Sequence, residues 1–267
     1  MVRPVRNLVC LGDSFTEGVH DDLRPDGRFV GWSDRVAYGL AEVAAPQPFA
    51  YANLAVRGKL LDQIIELQIP AALKLNPEVV TIHAGANDVL RPGTDIDALV
   101  ARYDSAVGTL TTTPRTVVMF TSIGRAGGSG RLANALAERF GRYNEGIRGI
   151  ARNHGTLLVD LEHIPVLSDR RMWHEDRLHL NAEGHRRVAA ATLAVLGVDD
   201  PTVLGGLPGW WTESLSRDTQ GRLSKAGSDA SWIVQHLAPW VMRRLCGVSS
   251  GDTVVAKDSA LEVVTLR

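Results

Sequence analysis

Leu8-Val9-Cys10-Leu11-Gly12-Asp13-Ser14-Phe15-Thr16-Glu17-Gly18 is the stretch that decides the fold. A short apolar run broken at once by Gly-Asp-Ser predicts a buried strand ending in a tight turn that presents one hydroxyl at its carboxyl end. Ser14 is therefore the candidate nucleophile. Asp13 and Ser14 would also serve simply to cap the next helix, so the rest of the chain has to decide between the two roles.

Further along, apolar runs alternate with helix-period segments, a βαβα rhythm that predicts a parallel sheet covered by helices on both faces. Later strands are expected at Phe49 to Asn53, Val79 to Ala84, Thr116 to Thr121 and Leu157 to Leu161. Helices are expected at Ser33 to Ala45, Leu61 to Leu75, Asp95 to Thr111, Arg131 to His154 and Ala182 to Leu196. Polar residues and glycines collect after each strand, at Gly12-Asp13-Ser14, Asn53 to Gly58, Gly85-Ala86-Asn87-Asp88 and Ser122-Ile123-Gly124-Arg125. An open parallel sheet brings all of these to one edge, where ligands bind.

The 267 residues suffice for one such domain with an appendage, and 45% hydrophobic with 22% charged residues excludes wholesale disorder. A net charge of -1 gives no reason to expect nucleic acid or an anionic membrane surface as partner. No apolar run approaches the roughly 18 residues of a membrane span, and Met1 to Asn7 shows no signal-peptide pattern, so a cytoplasmic protein without membrane insertion is expected. Cys10 and Cys246 lie too far apart to suggest a disulfide framework, and Cys10 reads as a buried thiol.

The region divides at about residue 197. Gly197 to Gly209, with four glycines and two prolines, marks the boundary between residues 1–197 and a tryptophan-rich extension, 198–267, that holds Trp210, Trp211, Trp232 and Trp240. Ser228 to Leu245 has an approximate helical stripe, kinked at Pro239. The extension is expected to pack on the main domain; a lid or a homo-oligomer contact is the alternative. Gly247 to Arg267 reads as loose, with Leu261 to Leu266 able to pair as an edge strand.

A serine hydroxyl is a poor nucleophile near neutral pH and needs a base, which in turn needs an orienting group. Among eight histidines, His83 falls inside a strand and reads as core, while His20, His154, His163 and His236 lack suggestive neighbours. Trp173-His174-Glu175-Asp176-Arg177-Leu178-His179-Leu180-Asn181 differs, because Asp176 precedes His179 by three residues in a loop entering a helix. The carboxylate can fold back onto the imidazole and fix its tautomer, making His179 the candidate base and Asp176 its orienter. His174 and His185 are rivals without an acidic residue three positions before them. Gly58 and Asn87 are candidate oxyanion donors, one through a closely approaching N–H and one through a neutral amide. Asp13, Phe15, Trp32 and Trp173 are candidate substrate-binding residues, the aromatics serving equally well as packing. The loop from His20 to Trp32 is expected beside the site. No H-E-x-x-H or cysteine cluster is present and Asp21-Asp22 has only His20 nearby, so no metal or other cofactor is expected.

Taken together, Gly12-Asp13-Ser14, Gly58 after Asn53, Gly85-x-Asn87-Asp88 and Asp176-x-x-His179 resemble the four sequence blocks of the SGNH (GDSL-like) hydrolase family, in the family's order, over residues 7 to 196. The resemblance implies a three-layer α/β/α, flavodoxin-like fold with a five-stranded parallel sheet. It also implies Ser14 as nucleophile, an oxyanion hole from the Ser14 N–H with Gly58 and Asn87, and a triad completed by Asp176 and His179. The run Gly12-Asp13-Ser14-Phe15-Thr16 lacks the second glycine of the G-x-S-x-G elbow, which separates it from the α/β-hydrolases. The expected partner is a small-molecule carboxylic ester, acyl or O-acetyl, cleaved through an acyl-enzyme. A thioesterase or acyltransferase using the same residues, and a non-catalytic carbohydrate- or acyl-binding module, are the alternatives.

Overall fold

The computed structural model describes residues 5–113, 115–123, 131–216, 251 and 253–266. The opening apolar run forms β1 (Asn7–Gly12), which lies between β2 (Ala50–Asn53) and β3 (Val79–His83); β4 (Thr116–Phe120) and β5 (Leu157–Val159) continue the sheet. The order is β5-β4-β3-β1-β2-β6, with β1 to β5 parallel.

Residues 8 to 11 of β1 are buried on both faces, as a central parallel strand requires. Leu8 and Cys10 join one apolar layer with Trp32, Val36, Phe120 and Val188, under α2 (Gly31–Ala44) and, later in the chain, the helix Ala182–Val195. Val9 and Leu11 join the opposite layer with Ile82, Leu99, Tyr103 and Tyr143, under helices Ile69–Lys74, Ile96–Thr111 and Arg131–His154. The result is the expected three-layer α/β/α arrangement. In chain order the helices are α1 (Ser14–Glu17), α2, α3 (Leu61–Gln63), α4 (Ile69–Lys74), α5 (Ala86–Val89), α6 (Ile96–Thr111), α7 (Arg131–His154), α8 (Ala182–Val195) and α9 (Pro201–Leu204). None of the described helices is long and apolar enough to cross a membrane.

The sheet departs from the expected five strands in having a sixth. β6 (Asp258–Val263) runs antiparallel along β2, pairing Ala50 with Val263, Tyr51 with Glu262 and Asn53 with Asp258. Most of β6 is exposed, so its side chains carry little of the apolar alternation that marks a strand in sequence. Polar anchors hold it instead. Buried Lys257 donates to the Phe29 and Val30 carbonyls and pairs with Asp34, while Asp258 takes Arg24 and Arg28. These contacts fasten the loop between α1 and α2 to a segment more than 200 residues away.

The helix expected across Leu61 to Leu75 is interrupted. Ile64–Gln68 forms a wider π turn between α3 and α4 and sends the buried Gln68 side chain towards β1. Within the extension, residues 201–216 lie along α8: Arg187 donates to the carbonyls of Trp210, Trp211 and Glu213, and the Arg186 guanidinium sits 4.5 Å from the Trp210 ring centre. The helix expected over 228–245, with Trp232 and Trp240, falls outside the described residues, as do Cys246 and the Gly124-Arg125 turn. Cys10 is fully buried, which pushes its thiol up to about 12 and leaves it unreactive.

Candidate active site

The turn after β1 is built by long-range contacts. Gly12 has φ 150, and a Cβ there would lie 2.6 Å from the His83 carbonyl and 2.5 Å from Thr16 Oγ1, so the position excludes a side chain. Gln68 clamps the peptide from below: the Gly12 N–H donates to Oε1 at 2.8 Å and Nε2 donates to the Gly12 carbonyl at 2.9 Å. Asp13 is the N-cap of α1, its Oδ1 accepting from the Phe15 N–H at 3.1 Å. Ser14 is the first residue of α1 and is half-buried. Among the described residues, no hydrogen bond joins its hydroxyl to another group. Catalytic hydrogen bonds are often loose before substrate binds.

Loops at the same sheet edge surround the turn. Asn53, fully buried, donates through Nδ2 to Thr16 O and Ser33 Oγ and accepts the Ala55 N–H, tying α1, α2 and the segment leading to Gly58 together. The Arg57 N–H donates to Glu17 Oε2 at 2.7 Å and its guanidinium pairs with the same carboxylate, which fixes Gly58 (φ 76) next to α1. Asn87 sits on α5 after Gly85, whose φ of 81 and approach to the Tyr143 hydroxyl, 2.2 Å from a would-be Cβ, demand glycine. Asn87 Nδ2 donates to Asp13 Oδ2 at 2.8 Å and to the Lys59 carbonyl at 3.1 Å.

The hairpin that carries Asp176 and His179 is local. The Trp173 and Leu180 bridge, with the His174 N–H donating to the His179 carbonyl at 2.9 Å, closes residues 172–181 into a narrow hairpin. At its tip Asp176 Oδ1 accepts the N–H groups of Leu178 and His179, at 2.9 and 3.1 Å, which folds the carboxylate back over the loop. Oδ2 is thereby delivered to His179 Nδ1 at 2.7 Å. Asn181 caps α8 through the Gly184 N–H. Burial alone would raise the Asp176 carboxyl, but hydrogen bonds from His179 and His20, the charge of His179 and the Leu178 N–H outweigh it, holding the group well below the usual carboxylate range.

His20 is the residue that sequence reasoning passed over. It follows α1, adopts a left-handed φ of 71, stacks on His174 at 3.7 Å and brings Nε2 within 3.2 Å of Asp176 Oδ2. The turn that carries Ser14 and the 172–181 hairpin therefore meet through it. Gln68 was also missed: nothing in its spacing marks it, because its role depends on the π turn.

Two candidate substrate-binding residues are corrected. Trp32 is 0% exposed and packs among Phe15 and Phe120, so no face of it is available to a ligand. Both carboxylate oxygens of Asp13 are engaged by Phe15 and Asn87 in a buried position, which makes it a support for the turn. Phe15 and Trp173 are only half-buried, the latter donating from Nε1 to the Leu167 carbonyl. The rival His185 is buried, accepts the Trp32 N–H and is pushed down to about 4 by burial. Burial does the same to His83, so its 3.9 Å approach to Asp13 is no ion pair near neutrality.

Three solved structures share the fold. An acetylxylan esterase from Geobacillus stearothermophilus, Axe2, is 21% identical over 79% of this chain and 97% of its own, with a TM-score of 0.61. LAE5, described as an alpha/beta hydrolase enzyme from the metagenome of Lake Arreo, Spain, is 21% identical over 72% of this chain and 95% of its own, at 0.61. TesA is 19% identical over 72% and 98%, at 0.59. No curated protein matches the sequence. The model of the GDSL-like lipase/acylhydrolase family matches residues 10–187, from within β1 through the 172–181 hairpin into α8. The chain belongs to that family, and with it to the carboxylic ester hydrolases.

Proposed function

We propose that the protein is a serine esterase that cleaves a small or medium acyl ester through an acyl-enzyme, with Ser14 as nucleophile, His179 as base and Asp176 as its orienter. The observation that carries this reading is the 2.7 Å contact between His179 Nδ1 and an ionised Asp176, which fixes the tautomer and leaves Nε2 free to take a proton. His179 takes the Ser14 proton as Oγ attacks the ester carbonyl. The oxyanion is received by the Ser14 and Gly58 N–H groups and by Asn87, whose amide turns one donor away from its resting partners. Collapse expels the alcohol, protonated by His179, and water activated by the same base releases the acid.

Phe15 lies directly after the nucleophile with its ring 4.4 Å from His83 and 6.0 Å from Phe120. The acetyl ester named for Axe2 makes acetylated sugars the first substrates to try beside p-nitrophenyl esters of increasing chain length. The deciding experiment is labelling with a fluorophosphonate: the adduct is expected on Ser14, and Ser14→Ala is expected to lose both label and hydrolysis. Label on another serine, or undiminished hydrolysis by Ser14→Ala, overturns the assignment.

A further inference from the structure

Asp176 Oδ2 is approached by two imidazoles. His179 Nδ1 lies 2.7 Å from it and His20 Nε2 lies 3.2 Å away, and ligand atoms of the three side chains all fall within 4.8 Å of one another. The other oxygen, Oδ1, is occupied by the Leu178 and His179 N–H groups, so Oδ2 is presented as a single oxygen ligand. His20 is held in place by a stacked His174, with rings parallel to 1°, and by its neighbour Asp21, which is buried and paired with Arg35 at 2.7 Å. Two imidazoles and one carboxylate form a donor set typical of open zinc sites, whose fourth position is left to water.

We propose that His20, Asp176 and His179 form a binding site for a divalent ion of the zinc class, and that filling it switches hydrolysis off. The switching half rests on the reading of His179 as the base. With ligand bonds of about 2.1 Å, neighbouring ligands in a tetrahedral site stand about 3.4 Å apart. The two measured separations reach that value by opening a few tenths of an ångström in one case and somewhat more in the other. Imidazole ligands select zinc, copper or nickel over magnesium and calcium.

The consequence for the base follows from proton bookkeeping. An ion on His179 Nδ1 replaces the proton that points at Asp176. That proton moves to Nε2 of the same ring, so the ring stays neutral and Nε2 becomes an N–H. The nitrogen that must accept the Ser14 proton then has no lone pair to do so, and the orienting carboxylate is taken by the metal.

The test uses untagged, chelator-treated protein titrated with zinc, followed by calorimetry and by hydrolysis of p-nitrophenyl acetate. One zinc per chain is expected to bind and to inhibit, with EDTA restoring the rate and magnesium or calcium having no effect. His20→Asn is the informative variant, because asparagine tolerates a left-handed φ and is a poor zinc ligand. It is expected to weaken zinc binding roughly tenfold or more, and the zinc sensitivity of the rate, read as a ratio within each variant, should fall in step. His174→Ala removes the ring stacked on His20 but no ligand, so it is expected to weaken zinc binding less than His20→Asn does, and cobalt in place of zinc should give the visible bands of a tetrahedral site. Equal zinc affinity in wild type and His20→Asn, or no stoichiometric binding to wild type, overturns the site. Ser14→Ala should still bind zinc, which separates the site from the hydrolytic reading; zinc bound through His20 without inhibition overturns the switch and counts against His179 as base.

Discussion

The turn that carries Ser14 and the hairpin that carries Asp176 and His179 reach the same sheet edge by opposite means. Residues 12–14 take their shape from partners far away in the chain: Gln68 on both polar groups of Gly12, and Asn87 on Asp13. Residues 172–181 shape themselves, through a bridge across the hairpin and an aspartate that binds N–H groups two and three positions on. A site assembled this way has one half whose geometry depends on the whole fold and another that a decapeptide nearly specifies. Damage to the first should appear in stability and activity together. Damage to the second should appear in activity alone.

Asp176→Asn tests the local half and carries the largest expected effect. By analogy with the loss of tautomer control in a serine triad, kcat should fall about 10⁴-fold while the melting temperature stays close to wild type. A large loss of stability would mean that the loop is not self-sufficient. Asn87→Ala tests the joint between the halves, with an expected fall in kcat of about 10²–10³ and little change in KM. A change confined to KM would move Asn87 from the oxyanion to ground-state binding. Gln68→Ala probes the long-range half: it leaves the buried N–H of Gly12 unpaired, while the Gly12 carbonyl keeps the Val56 N–H at 3.2 Å, and unfolding in urea should show a loss of about 1–3 kcal/mol, with kcat reduced as well. If stability is unchanged, the clamp is not what shapes the turn.

A further test concerns pH. His83 and His185 are buried and pushed down to about 4 from an ordinary 6.5. Their unfolded forms bind protons first, so their contribution to stability is complete above about 6.5 and is lost as pH falls towards 4, by about 3 kcal/mol for each at the limit. Urea midpoints measured between about pH 7.5 and pH 5 should fall, and His185→Gln should flatten that slope. A flat wild-type profile would mean that neither ring resists protonation.

The same contrast explains what could be read from the sequence. β1, the helix spans at Asp95 to Thr111 and Arg131 to His154, and the Asp176-x-x-His179 pairing depend on periodicity or short spacing, and local rules reach them. His20 lacked an acidic neighbour in sequence, yet it lies against Asp176 because α1 and the 172–181 hairpin converge. Trp32 looked like a pocket residue because aromatic side chains fit both roles, and only the packing of α2 on the sheet places it inside. β6 escaped as a firm expectation because charged partners on the α1–α2 loop, rather than apolar alternation, hold it to the sheet.

That last attachment has a consequence for the order in which the protein matures. Arg24 and Asp258 are 234 positions apart, and Asp258 anchors the edge strand that follows Lys257. A ribosome making the chain emits the serine and its flanking loop early, and must then travel past residue 258 before that loop can be pinned. Until then the nascent chain carries every candidate catalytic residue with an unfastened loop beside them.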